Sequence, residues 1–439
     1  MTTRIEFGRN APLNFLEERR ARIAGALPRD DAILVVSAGE PVPLPEGSDQ
    51  TYPFRSHAEY VYLAGGECAG GVAVFDPRDG PSDGWISFVP VITAAERVWE
   101  GRHQREGKPL SELIEWLAAR RGRPIAALGA RRREIAPDPD ATQQAREALT
   151  HARRIKDAPE IALIRRAAAA TAAGFAKLRG TVRAGMTERA LQIELEAEFF
   201  RAGATRTGYG TIVGSGPNAA VLHFEPSERI VQDGEFVLVD AGAEVNRYTA
   251  DVTRTYVAGK PTEFQRDLFD IVLATQERAI TRCVRGAEWK DIHLDVAVKL
   301  VEGLIGVNVM RGTASSLVEQ EAHTLFYPHG LGHMVGLGVR DGSGLFPGRQ
   351  KDPRPSLCTL RMDLPLASGY VVTVEPGLYF IPPLLNDATR RERYRDCVNW
   401  PLVDSLHGLG GVRIEDNILV TEGAPEVLTA AIPKRMPEP

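Results

Sequence analysis

Two aspartates set into the arms of one hairpin constrain this chain more than any other feature. In "EFVLVDAGAEVNRYTADVTRTY", residues 235–256, Asp240 and Asp251 interrupt runs that are otherwise apolar or β-branched. Aspartate is depleted in strands because its carboxylate competes for backbone hydrogen bonds. The two are equidistant from Val245–Asn246. An antiparallel pairing about that midpoint sets them nearly opposite on one face, with Cβ atoms about 5 Å apart. Like charges so placed push a hairpin open unless water bathes both or a cation sits between them.

Bulk properties narrow the setting. At 439 residues the chain is longer than one ordinary domain needs, so two domains are expected. Charged residues make up 25% and the net charge is −5, which suits a globular protein and gives no global field to draw nucleic acid or anionic membrane. The arginine clusters "AARRGRP", "GARRRE" and "HARRIKD" lie beside helical patterns without interleaved aromatics and read as solvated helix ends. No signal-like apolar core opens the sequence and no long apolar run spans a membrane. Cys68, Cys283, Cys358 and Cys397 lack metal-type spacing and read as free thiols, so a cytoplasmic location is expected.

Residues 14–27 read as an amphipathic helix, followed by "AILVVSAG", "AEYVYLAG", "GGVAVFDP" and "GWISFVPV" as short apolar strands. A helix at "LSELIEWLAARRG" and a strand at "PIAALGA" complete an α/β domain over 1–155. His57 and Glu59 lie close together there and read as structural. At Asp157 the character changes: an N-cap residue with Pro159 and Glu160 in the first turn opens a long helix. From 156 to 439, helices at "TERALQIELEAEFFRAG" and "TEFQRDLFDIVLATQERAITRCV" alternate with strand-like pieces, an α+β pattern with an antiparallel sheet.

Three later motifs join the aspartates. "HGLGH" carries His329 and His333 around glycines that permit close backbone approach, "VVTVEPG" carries Glu375, and "GVRIEDN" carries Glu415 two residues after Arg413. Each alone is weak. Together they supply four carboxylates and an imidazole without a cysteine, donors that suit Mn²⁺ or Mg²⁺ and, through the imidazole, Co²⁺ and Zn²⁺.

"VDAGAEVNRYTADVTRTY", "PHGLGHMVGL", "VTVEPGLYF" and "GGVRIEDNILVTE" resemble the metal motifs of the pita-bread metallopeptidases, within which the chain is similar to proline dipeptidase (prolidase) and aminopeptidase P. "TYPFRSHAEYVYLAGG" and "ERVWEGR" resemble their N-terminal domain. The resemblance implies a curved antiparallel sheet in the second domain. It implies that Asp240, Asp251, His333, Glu375 and Glu415 hold two divalent ions, Mn²⁺ foremost with Co²⁺ or Zn²⁺ as alternatives, Asp251 and Glu415 bridging. Two ions about 3.5–4 Å apart activate water and polarise a carbonyl. Glu375 then moves the proton, His223 and His329 hydrogen-bond the substrate, and Arg413 steadies the carboxylates.

The implied substrate is a small peptide with proline after the scissile bond, first of all an Xaa-Pro dipeptide. Aminopeptidase P action on longer peptides is the alternative, and a non-catalytic binding protein is a third reading. A homo-oligomer, dimer or tetramer, is also implied. The family pattern places a histidine seven residues after "HGLGH", where this chain has Arg340, and an arginine clamp for the dipeptide carboxylate near Arg361. Both are expected to bind substrate.

Overall fold

The computed structural model describes residues 13–27, 31–45, 47 and 49–436. The chain divides into two compact units, Met1–Arg153 and Arg154–Pro439.

In the first unit a five-stranded sheet runs in the order Lys108–Pro109, Trp85–Val89, Val72–Phe75, Ile33–Ser37, Ile125–Gly129. Its inner pairings are antiparallel and its outer ones parallel. Ile33, Val35, Val72, Val74 and Phe88 form a core with Leu113. The segment "AEYVYLAG", expected as a strand, is instead the helix Ala58–Ala64, closed by Gly65 in the left-handed region at φ 73°. Tyr60, Val61, Tyr62 and Leu63 are all buried, so no periodicity separated helix from strand. His57 precedes this helix, and Glu59 accepts hydrogen bonds from the Gly129 amide at 2.7 Å and Arg146 at 3.1 Å. The pair is structural.

The second unit begins with the helix Ala158–Arg179, whose Asp157 and Glu160 form a reciprocal capping box. Helices Glu188–Arg201, Glu263–Thr281 and Trp289–Gly306 follow. The last lies outside the elements expected from the sequence. Its N-cap, Glu288, makes no side-chain cap bond, so the usual start signal is missing. Three antiparallel sheets matter for function. One pairs Ile212–Ser215, Phe236–Ala241 and Val252–Val257, another Val371–Val374, Asp416–Leu419 and Glu426–Val427, and the third Gly377–Tyr379 with Gly411–Arg413. The Glu415 amide donates to the Thr253 carbonyl at 3.1 Å and ties the first to the segment between the other two.

The hairpin register differs from the expected one. The turn lies at Asn246–Arg247, both at positive φ (48° and 78°), and pairs Asp240 with Thr253 and Val245 with Tyr248. A turn at Val245–Asn246 would have forced a β-branched valine into the left-handed region. Moving the turn by one residue shifts the pairing by two, so Asp251 stands across from Gly242 and the two aspartates are diagonal neighbours on one face. A Cβ on Gly242 would lie 1.8 Å from the Ala250 carbonyl oxygen. Only glycine lets the strands close at this level.

Two buried histidines sit in the helical part of this unit. Neither ring nitrogen of His323 has a hydrogen-bond partner, and His293 has only the Tyr327 hydroxyl at 3.4 Å. Burial pushes their pKa values down to about 3 for His293 and about 4 for His323.

Two expectations follow from this packing. Gly242→Ala should cost about 3 kcal/mol or more of unfolding free energy, measured by urea denaturation. Between pH 6.5 and 4 the unfolded chain binds protons that folded His293 and His323 do not, so stability is full above pH 6.5 and falls as the solution is acidified. His323→Phe should flatten that slope by about 1.4 kcal/mol per pH unit near pH 5, read from denaturation midpoints across the range.

Candidate active site

A cavity of about 510 Å³ opens in the second unit, and Asp240, Asp251, His333, Glu375 and Glu415 all line it. They arrive from separate elements: the two hairpin arms, the glycine-flanked segment before Met334, the end of Val371–Val374, and the link between Gly411–Arg413 and Asp416–Leu419. A Cβ at Gly332 would lie 2.2 Å from the Thr373 carbonyl oxygen, so glycine is what lets the His333 segment press against that strand.

The electrostatics at this point do not balance without a cation. One ligand atom each from Asp251, His333 and Glu415 lie within 4.8 Å of one another. His333 Nδ1 stands 3.1 Å from the Met334 carbonyl, so it carries the proton and leaves the Nε2 lone pair facing Asp251 Oδ2 at 3.4 Å and Glu375 Oε1 at 3.8 Å. Burial lowers the His333 pKa, which keeps the ring neutral. An acceptor nitrogen aimed at carboxylate oxygens is unfavourable until a proton or metal ion sits between them.

The carboxyls report the same strain. Burial first, and then Asp240, hold Asp251 well above the usual carboxylate range; burial and then Asp251 and Asp240 do so for Glu415, and burial and then Glu415 for Glu375. Tyr209 donates toward both Asp240 (2.6 Å) and Asp251 (2.5 Å) with a single hydroxyl proton. The donor set fits divalent cations: hard oxygens, one neutral imidazole, and negative charge in excess of what the protein neutralises.

Side chains behind these residues fix their aim. Arg413 donates to Asp240 at 2.6 Å, to Thr253 at 3.0 Å and to the Tyr379 hydroxyl at 2.9 Å. Burial alone would lower its pKa, but Tyr379, Asp240 and Glu415 hold the guanidinium charged. Thr253 passes its own proton to Glu415 at 2.6 Å. The Asn417 amide clamps the Asp251 backbone, accepting from its N–H at 2.9 Å and donating to its carbonyl at 2.8 Å. Tyr209, Thr253, Tyr379 and Asn417 are absent from the sequence reading. Thr253 alone had a signal, two residues from Asp251 on the same strand face.

The remaining expected site residues are placed differently from one another. His223 and Arg340 line the cavity. Burial, then Arg340 and Arg413, lower the His223 pKa. The His223 loop is fastened by fully buried Glu188, which accepts from the Ser215 amide and hydroxyl, the Asn218 amide group, and the Ser227 amide and hydroxyl. His329 is half-buried and does not line the cavity. Its Nδ1 donates to the Gly330 carbonyl at 2.9 Å, and its Nε2 accepts from Tyr379 at 2.9 Å. Arg361 is exposed and stands outside the cavity wall, although its charge reaches His223.

Comparison with known proteins places this geometry. Residues 162–422 match the model of metallopeptidase family M24, and residues 16–125 that of the aminopeptidase P N-terminal domain. A probable Xaa-Pro aminopeptidase of Tuber melanosporum is 32% identical, covering 88% of this chain and 86% of its own. The Xaa-Pro aminopeptidase of Escherichia coli is 30% identical, with 96% of each chain covered. A solved structure of an Escherichia coli aminopeptidase P variant with substrate superposes at a TM-score of 0.79, with 28% identity and 97% of each chain covered. The architecture is therefore an aminopeptidase P-type N-terminal domain followed by a pita-bread catalytic domain.

Adding Mn²⁺ to metal-free protein should raise the melting temperature, by the equivalent of about 2.7 kcal/mol at a hundred times the dissociation constant. Asp251→Asn and Glu415→Gln should each remove most of that gain. A full Mn²⁺ response in both variants, followed by calorimetry, would rule out these residues as ligands.

Proposed function

The chain belongs to metallopeptidase family M24, and on that premise we propose that it is an Xaa-Pro aminopeptidase, releasing the N-terminal residue from peptides whose second residue is proline. The observation that carries the reading is the convergence of Asp251, Glu375 and Glu415 on His333 in an open cavity that Asp240 also lines. Relatives of nearly equal length named as Xaa-Pro aminopeptidases favour this over the dipeptidase expected first from sequence.

In this reading Asp240, Asp251, His333, Glu375 and Glu415 hold two divalent ions, Mn²⁺ being best suited to so many oxygens. Bound there, the ions supply a Lewis acid for the scissile carbonyl and an activated water. Glu375 accepts the proton of the attacking water and delivers it to the departing proline nitrogen. His223, on the cavity wall, donates to the substrate backbone. Arg413 is a positioning residue that fixes Asp240 and, through Thr253, Glu415. His329 acts through Tyr379 and not by direct contact. A homo-oligomeric assembly belongs to the same proposal.

The test is hydrolysis by protein reconstituted with Mn²⁺. Ala-Pro-Ala should release alanine and Ala-Ala-Ala should not, with loss on chelation and recovery on readdition. Glu375→Gln should lower kcat by about 10²–10⁴. Equal release from the two peptides, or none from either, would refute the reading.

A further inference from the structure

The cavity is electrically polarised. At its floor lie Asp240, Asp251, Glu375 and Glu415; on its wall stands Arg340, exposed, and among the described residues its guanidinium has no hydrogen-bond or ion-pair partner. Most arginines elsewhere in the second unit that approach a carboxylate are paired: Arg254 with Asp416, Arg349 with Glu288, Arg391 with Asp404. Arg189, also on the wall, spends its donors on the Gln192 side chain and on the Pro226 carbonyl at 2.7 Å. Glu225 lines the same wall and does not pair with Arg340.

The backbone that carries Arg340 is firmly held. The next residue, Asp341, is buried in an ion pair with Lys156 at 3.0 Å, both side chains fully covered. Asp341 also accepts from the Leu337 amide at 2.9 Å, while its own amide donates to the Met334 carbonyl at 3.1 Å. The backbone beside Arg340 is thus anchored at Asp341, and the Arg340 charge is felt at His223. A planar fork with five donors and no protein acceptor is matched to a carboxylate.

A peptide entering this field is oriented by it. Its ammonium end is repelled by Arg340, and an anionic group on the leaving side is drawn to it. Resting on the Xaa-Pro reading above, we propose that Arg340 is a specificity-determining residue that binds a carboxylate on the proline side of the scissile bond, foremost the C-terminal carboxylate of a di- or tripeptide. The enzyme is thereby tuned to short, free-acid peptides.

The experiment compares kcat/KM for Ala-Pro, Ala-Pro-Ala and their C-terminal amides, with Ala-Pro-Glu-amide as a further arm, on Mn²⁺-loaded protein. At least one free acid should be preferred to its amide by roughly five- to tenfold at low salt, with the preference shrinking as ionic strength rises. Arg340→Gln should bring the ratio near one, and Arg340→Lys should keep part of it. A gain confined to Ala-Pro-Glu-amide sustains the carboxylate and assigns it to a side chain. Equal rates for all acids and amides, or a preference that survives in Arg340→Gln, overturns the proposal. That result leaves the Xaa-Pro reading standing, whereas failure to cleave any of the peptides overturns that reading itself.

Discussion

Mutual repulsion among Asp240, Asp251, Glu375 and Glu415 is the constraint around which the second unit is arranged. Four carboxyls are brought together in one largely buried cluster, and three of them are held well above their ordinary pKa by burial and by one another. The protein compensates only in part. Arg413 brings one positive charge, Tyr209 and Thr253 bring hydroxyl protons, and His333 offers a lone pair in place of a proton. Such a cluster is costly to fold empty and favourable to fold around cations, so stability and metal affinity draw on the same side chains. The helices and sheets behind it, with Trp289, Leu300 and Val374 in one continuous core, supply the apolar burial that offsets the cost.

The line of contacts from Arg413 through Tyr379 to His329 shows how a buried polar row can be fully specified. Arg413 has only donors, so the Tyr379 oxygen accepts from it and the Tyr379 proton goes to His329 Nε2. The other nitrogen, Nδ1, must then hold its proton for the Gly330 carbonyl. Burial, and then Arg413, drive the His329 pKa down to about 3, in keeping with that tautomer. A histidine so placed is a fixed dipole, and protonation is unavailable to it near neutrality.

Some of this was legible from sequence and some was not, for identifiable reasons. Acidic residues inside β-branched runs stand out because strands exclude them, which is why Asp240, Asp251, Glu375 and Glu415 could be picked out before any coordinates. Their convergence with His333 in one cavity is a tertiary fact. The register was misjudged by two residues because the symmetry of the aspartates suggested a turn that backbone sterics at Val245 forbid. "AEYVYLAG" was misjudged because five consecutive buried residues, Glu59 to Leu63, leave a seven-residue helix no exposed face to betray its period. Tyr209, Tyr379 and Asn417 were invisible because ordinary aromatic and amide residues acquire their roles only from neighbours that are remote in sequence.

Glu188 has a mechanical implication. Its two carboxylate oxygens gather five donors from Ser215, Asn218 and Ser227, which bracket the segment bearing His223 on both sides. A loop pinned at both feet by one buried anion behaves as a fixed jaw and not as a flap. The residues beside His223 can therefore vary while the jaw holds its place, and adaptation to new peptides can proceed by changing the teeth without loosening the hinge that is not there.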